Sequence, residues 1–261
     1  MSLLAGKTVV VSGVGAGLGH QVAAAVVRDG GNAALGARTE ANLAKSVAEI
    51  DPDGAHTAYR TTDITDEAQC EALAGLARER FGGIDAVVHV AAWDGYFGGL
   101  EDADFTTWQS VIDVNLLGSL RMTRACLPAL KERGGSVVFI GTQSAVAAPS
   151  QVRQAAYAAS KGALTSAMYS LARELGPARI RVNTVLPGWM WGPPVQAYVQ
   201  FAAHTEKVPE ADVLQRLTDR MALPELATDG DVADAAVFLA SDRARAITGQ
   251  SLLVNAGELM R

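Results

Sequence analysis

Short, unbroken apolar runs alternate along this chain with helix-length amphipathic segments, and no other feature limits the fold as strongly. The runs cover residues 8–12, 33–37, 57–61, 86–90, 136–140, 181–186 and 252–254. They are rich in Val, Ile, Leu and Ala and do not alternate with polar residues, the pattern of parallel strands covered on both faces. The amphipathic segments predict helices near 17–29, 40–50, 66–81, 105–131, 151–175 and 230–241. Thr228 is placed to cap the last of these, with Asp231 in its first turn. Such an alternation predicts an α/β chain: a doubly wound parallel sheet of about seven strands, the three-layer αβα Rossmann architecture, with right-handed crossovers. There is no repeat, low-complexity tract or linker, so residues 1–261 read as a single domain. Residues 188–224 follow the sixth run and hold Pro193, Pro194, Pro209 and Pro224 just after Pro187. A long insertion at the carboxyl end of a strand, where open α/β sheets bind ligands, reads as an irregular substrate lid.

The first run leads into Ser12-Gly13-Val14-Gly15-Ala16-Gly17-Leu18-Gly19, with a helix predicted to follow. Gly13, Gly17 and Gly19 permit a tight turn and close backbone approach to a pyrophosphate, while the helix N-terminus supplies amide donors and a favourable dipole. A glycine string alone says little; at the first βα turn of a parallel sheet it marks a dinucleotide site. The second run ends Leu35-Gly36-Ala37-Arg38-Thr39 and lacks the acid that accepts from ribose hydroxyls in NAD sites. Arg38 instead offers a guanidinium able to pair with a 2′-phosphate. NADP(H) is therefore the preferred cofactor, with NAD(H) left open. Asp63, just past the third run, is placed to accept from an adenine amino group or to form the turn before the next helix.

Tyr157 and Lys161 lie four residues apart, on one face of a predicted helix. An ammonium beside a phenol favours the phenolate, so the Tyr157 pKa is expected to fall towards working pH. Such a phenol can exchange a proton with an alcohol or carbonyl oxygen. Hydride transfer, the other half of an alcohol–ketone reaction, needs a cofactor.

Together these motifs resemble the short-chain dehydrogenases/reductases along essentially the whole chain. Ser12-Gly13-x-x-x-Gly17-x-Gly19 matches the family's glycine pattern, with Ser12 in the threonine place, and Tyr157-x-x-x-Lys161 its catalytic pair. Asn115 stands in the place of the catalytic asparagine, Asp63-Ile64 of the adenine-contacting pair, and Pro187-Gly188 of the nicotinamide-side turn. The resemblance implies that Tyr157 is the general acid/base and that Lys161 lowers its pKa while binding the nicotinamide ribose. It implies that Asn115 holds a relay water, that Leu18 and Ala91 line the cofactor site, and that the Met190 backbone meets the nicotinamide amide. A hydroxyl should polarise the substrate oxygen. Counting back thirteen residues from Tyr157 gives Ser144; counting forward from the fifth run gives Thr142. We take Ser144, with Thr142 beside it in the substrate pocket. The resemblance also implies a homotetramer or a homodimer.

Three departures stand out. The family's Asn-Asn-Ala-Gly is His89-Val90-Ala91-Ala92, which puts His89 where an asparagine ties the sheet and Ala92 where a glycine stands. A buried, hydrogen-bonded histidine is the preferred reading over a catalytic one. The threonine five residues after Pro187 is replaced by Gly192.

Trp93, Tyr96, Phe97, Trp189 and Trp191 lie in loops expected over the nicotinamide, and no Arg/Lys pair in 92–100 or 188–197 could clamp an anion. Trp93 and Trp189 are placed in an apolar pocket for a hydrophobic secondary alcohol or ketone, steroid-like or a 3-oxoacyl thioester. Lys207, Arg216 and Arg220 could greet an acidic carrier. The rival readings are a nucleotide-sugar-type epimerase on the same scaffold, for which the chain is short, and a non-catalytic nucleotide-binding module. An enoyl reductase is disfavoured because such relatives put six residues between Tyr and Lys, and here there are three.

The net charge of −6 offers no case for nucleic acid or an anionic membrane. No apolar stretch reaches membrane-spanning length, and the N-terminus lacks a signal-peptide pattern, so a cytoplasmic protein is expected. Cys70 and Cys126 have no metal spacing and read as small apolar residues.

Overall fold

The computed structural model describes residues 2–94, 97–149 and 152–261. In chain order the first elements are β1 (Thr8–Ser12), α1 (Leu18–Arg28), β2 (Asn32–Ala37), α2 (Glu40–Ile50), β3 (Thr57–Thr61), α3 (Glu67–Phe81) and β4 (Ala86–His89). Then come α4 (Phe105–Ile112), a π-helical turn (Asp113–Gly118), α5 (Ser119–Arg133), β5 (Gly135–Ile140), α6 (Ala155–Leu175) and β6 (Ile180–Pro187). The last are β7 (Met190–Trp191), α7 (Pro193–Glu206), α8 (Glu210–Thr218), β8 (Ala227–Thr228), α9 (Asp229–Ala240) and β9 (Ser251–Val254).

Seven strands form one parallel sheet in the order β3-β2-β1-β4-β5-β6-β9. Parallel strands buried on both faces need unbroken apolar runs, and Val9, Val10 and Val11 of β1 and Val87 and Val88 of β4 are all fully buried. Alternate residues feed two cores. Val9, Val11 and Val88 face α1 and α9; Val10, Val87 and Phe139 face α3, α5 and α6. The order reverses between β1 and β4, so a crevice opens beyond their carboxyl ends.

Two segments differ from the sequence expectation. The long helix expected over 105–131 is broken by the π turn that carries Asn115. An extra residue in a helical turn re-aims one side chain and is common at functional sites. Residues 188–224 are not irregular. Pro193 and Pro194 open α7 at its first positions, and Pro209 caps α8. A proline at a helix start loses no intrahelical bond and has its φ preset, so these prolines begin helices instead of interrupting a loop. A small apolar cluster of Val199, Ala203, Val213, Leu217 and Leu226, with Trp189 against it, holds the two helices down. Thr228 caps α9 as expected, in a reciprocal capping box with Asp231.

Candidate active site

The turn between β1 and α1 is packed so tightly that only glycine fits at two places. Gly13 has φ +96°, and a Cβ there would fall 2.2 Å from the Ala91 nitrogen; a Cβ on Gly19 would fall 2.2 Å from the Gly13 carbonyl oxygen. The turn therefore lies flat against the start of α1, with backbone exposed to a ligand. From it runs a cleft of about 400 Å³. Arg38, Asn42, Asp63 and Ile64 line one end, and Tyr157, Lys161, Asp94 and Met190 the other; Gly13, Leu18, Ala91 and Pro187 lie along it. Asp63 Oδ1 accepts from the Thr65 amide and hydroxyl, so this carboxylate both shapes its turn and faces the cleft. Arg38 is exposed and makes no ion pair among the described residues.

A second concavity, between α3 and α5, is walled by Glu67, Glu71, Arg78, Arg121 and Arg124. It lies away from the strand ends, and Arg124 pairs with Glu67 across it. It is a solvated charged groove.

Tyr157 and Lys161 come together on α6 as their spacing requires. Lys161 is buried, and its Nζ donates to the Ile140 carbonyl at 2.8 Å and lies 5.9 Å from the Tyr157 ring centre. Burial pulls the Lys161 pKa down to about 8, with Asp94 opposing. The expected fall of the Tyr157 pKa is overturned: within this chain the phenol is pushed up. Burial is the main cause, the Asp94 carboxylate adds to it, and the Thr142 hydroxyl opposes. Spacing put an ammonium one turn away, but that ammonium is turned to the main chain while the phenol is desolvated.

Thr142 is the hydroxyl that meets the phenol. It caps a short 3₁₀ turn at the end of β5, where Ser144, one turn on, donates its backbone N–H to Thr142 Oγ1 at 3.2 Å. Asn115 is fully buried. Its Oδ1 accepts from the Trp93 amide at 2.7 Å, and its Nδ2 donates to the Trp93 carbonyl and to Ser160 Oγ, both at 3.0 Å. The side chain thus clips the loop after β4 to the helix that carries Tyr157.

His89 lies opposite Ser12 in the sheet and stacks on Phe139 with ring centres 5.0 Å apart. Its Nδ1 is 3.3 Å from Ser12 Oγ and its Nε2 2.9 Å from Thr123 Oγ1. Thr123 gives its single proton to the Ser119 carbonyl, so it accepts from Nε2–H, and Nδ1 accepts from Ser12. Burial, with help from the Lys161 charge, holds the His89 pKa down to about 3, so the ring is neutral. It is a satisfied core histidine that replaces the asparagine's bonds.

A family model described as Enoyl-(Acyl carrier protein) reductase matches residues 13–258. A Streptomyces virginiae protein named as a ketoacyl reductase of the monensin polyketide synthase is 34% identical over 257 residues, covering 96% of each chain. The chain belongs to the short-chain dehydrogenase/reductase family. It is an oxidoreductase acting on CH–OH groups. The trans-4-hydroxycyclohexanecarboxylate dehydrogenase of Sinomonas cyclohexanicum is 31% identical, covering 98% of this chain and 93% of its own. An actinorhodin polyketide ketoreductase solved with NADPH is 27% identical and superposes with a TM-score of 0.88, covering 97% of both chains.

The remaining short-chain dehydrogenase/reductase positions divide. Gly188 packs against Asn255, where a Cβ would fall 2.9 Å from the Asn255 Cβ. Trp189 packs against Tyr198 in a tilted arrangement with ring centres 5.0 Å apart and anchors α7, so packing accounts for much of its surface. Tyr96 lies outside the described residues. Arg216 and Arg220, considered for an acidic carrier, are paired to Glu206 and Glu258. Two acids, one lining the cleft and one beside the glycine turn, were not legible in the sequence. Asp94 follows Trp93 in the loop after β4, and Asp229 comes from the distant α9, with its Oδ2 3.2 Å from where a Gly17 Cβ would stand. The only signal for Asp94 was an acid inside an otherwise aromatic loop; Asp229 had none. Among the described residues no helix is long and apolar enough to cross a membrane, and no group of three or more His, Cys, Asp or Glu could hold a metal ion.

Proposed function

We propose that this chain reduces a ketone to a secondary alcohol, and catalyses the reverse reaction, with NADP(H) preferred over NAD(H). The observation that carries the reading is the convergence of the Tyr157 phenol, Lys161 and the Thr142 hydroxyl at one end of a cleft that has the glycine turn along it and Arg38 at the other end. The residues fit a dinucleotide. The Gly13–Gly19 turn and the start of α1 would hold the diphosphate, Arg38 a 2′-phosphate, Asp63 and Ile64 the adenine, Tyr157 and Lys161 the nicotinamide ribose, and Met190 the carboxamide. When bound, NADP(H) supplies the hydride.

The chain's own groups handle the oxygen. A half-buried, desolvated phenol kept protonated at neutral pH is ready to give its proton to a carbonyl oxygen that is gaining charge. Thr142, not Ser144, is the hydroxyl that steadies that oxygen, because it is the one set against the phenol. Lys161 adds positive charge in a water-poor site, and Asn115 holds the loop and helix in register. The chain acts as one domain, with α7 and α8 covering a largely apolar pocket in which Trp93 and Trp189 take part. Exposed Phe105, Leu117 and Tyr169, on the helical segments around Asn115 and Tyr157, suit pairing with a second copy in a dimer or tetramer.

The test is fluorescence titration of NADPH and NADH on wild type and Arg38→Ala, followed by a ketone panel on wild type and Tyr157→Phe. Tighter NADPH binding that depends on Arg38, and turnover reduced roughly 10²–10⁴-fold in Tyr157→Phe, are expected. Full activity in a folded Tyr157→Phe protein overturns the reading.

A further inference from the structure

The substrate end of the cleft carries an acid. Asn115 pins the backbone of Trp93 through both its amide and its carbonyl, and that clip sets the path of the next residue. Asp94 consequently lines the cleft beside Tyr157, Lys161 and Ala92. Only two charged side chains line that end among the described residues. Lys161 is bound to the Ile140 carbonyl, whereas Asp94 has no hydrogen bond or ion pair among them. Its charge nevertheless reaches the reacting groups, favouring both the protonated phenol and the charged ammonium.

Among the described residues, three arginines of the lid and the C-terminus are engaged elsewhere. On the lid side, Arg216 is held by Glu206 at 2.7 Å and Arg220 by Glu258, which also takes the Gln143 amide at 2.9 Å. Arg261 donates to the Val146 carbonyl, and Arg153 lies over Gly99. A substrate at Tyr157 therefore meets a carboxylate acceptor. A carboxylate so placed binds a donor, and binds a charged donor more strongly than a neutral one. An anion in the same position is repelled.

We propose that Asp94 is a specificity-determining residue, whose carboxylate accepts a hydrogen bond from a donor group, ammonium or hydroxyl, carried by the ketone substrate near its reacting carbonyl. The inference rests on the ketone-reducing reading above and narrows its substrate class to donor-bearing ketones, at the expense of keto acids. Trp93 remains to cover the apolar part of such a molecule.

The experiment measures kcat/KM for four matched ketones that differ only in a terminal ammonium, hydroxyl, methyl or carboxylate group, on wild type, Asp94→Asn and Asp94→Ala. Dinucleotide titration on the same preparations confirms that each variant is folded. Wild type should favour the ammonium ketone over the carboxylate by about tenfold or more, with the hydroxyl between them, and both variants should bring that ratio close to one. Two results overturn the proposal: a wild type that prefers the carboxylate or shows no order, and a variant that lowers all four rates equally. The second would make Asp94 a group acting through Tyr157 and Lys161. No turnover of any ketone by wild type with NADPH or NADH removes the underlying reading as well, and so differs from an enzyme that reduces all four without order.

Discussion

Lys161 directs its ammonium into the main chain, donating to the Ile140 carbonyl at 2.8 Å, so the residue that should activate Tyr157 is itself a buried charge. Burial holds it at about 8 instead of its usual 10.5. Between those values the folded chain binds fewer protons than the unfolded one, so this group makes stability rise with pH from about 8 to about 10.5. At neutral pH the charge costs the fold up to about 3 kcal/mol. Lys161→Met should therefore melt at or a few degrees above wild type at pH 7, roughly 2–4 °C. That advantage should vanish above pH 10.5, and turnover should fall by at least about a hundredfold. Thermal melts across pH check it; a variant that melts well below wild type at pH 7 would show that the bond to Ile140 outweighs desolvation.

Thr142 and Ser144 make contrasting predictions. Thr142 touches the phenol, whereas Ser144 gives only its backbone N–H to Thr142. Thr142→Val preserves shape and removes the hydroxyl, and should lower kcat by about 10²-fold. Ser144→Ala should stay within about threefold of wild type, since it deletes no group set at the reacting oxygen. Steady-state kinetics on one ketone decides between them, and the reverse ranking would return the role to Ser144.

His89 should leave its mark on acid stability. Its pKa is near 3 when folded and 6.5 otherwise, so the folded chain binds fewer protons across that range. The stability it confers is full above pH 6.5 and is lost as the pH falls towards 3, on the order of 4 kcal/mol in all. His89→Asn cannot take up that proton. It loses the stack on Phe139 and should be less stable by about 1–3 kcal/mol at pH 7. The gap should narrow steadily below pH 6.5. Urea unfolding at several pH values measures this, and parallel curves for the two proteins would contradict it.

The sequence showed the sheet well because a strand buried on both faces has no choice of residue: Val9 to Val11 can be little else. The glycine turn was legible for a similar reason, since Gly13 and Gly19 meet backbone atoms where a Cβ would be. The lid helices were hidden because Pro193, Pro194 and Pro209 break and begin helices with the same letters. The π turn was hidden because one extra residue barely alters the apolar pattern of a long helix. Tyr157 misled for a deeper reason. A four-residue spacing fixes which side chains are neighbours, but not which of them is desolvated, nor where a lysine aims its charge. Asp94 depends on the bonds Asn115 makes to Trp93, and Asp229 on a helix distant in sequence; neither arrangement can be read from local pattern.

Asp229 stands close to the glycine turn. Its carboxylate sits in the first turn of α9, with Oδ2 3.2 Å from where a Cβ of Gly17 would stand and 2.8 Å from that of Gly192. Burial pushes its pKa up, and no side-chain hydrogen bond relieves it among the described residues. If the glycine turn holds a diphosphate, this acid faces a second anion across a short, partly dry gap, a repulsion of about 1 kcal/mol after screening. Asp229→Asn keeps the shape and removes the charge. It should tighten NADPH and NADH alike by about fivefold, leaving their ratio unchanged, whereas Arg38→Ala should change the ratio. Protonation does to the wild type what the amide does to the variant. Wild-type affinity should therefore rise as the pH is lowered towards the carboxyl's raised pKa, and the variant should lose that dependence. Titration of both dinucleotides at several pH values tests each part. Weaker binding by Asp229→Asn would mean that the carboxylate accepts a hydrogen bond from the bound cofactor and holds it in place.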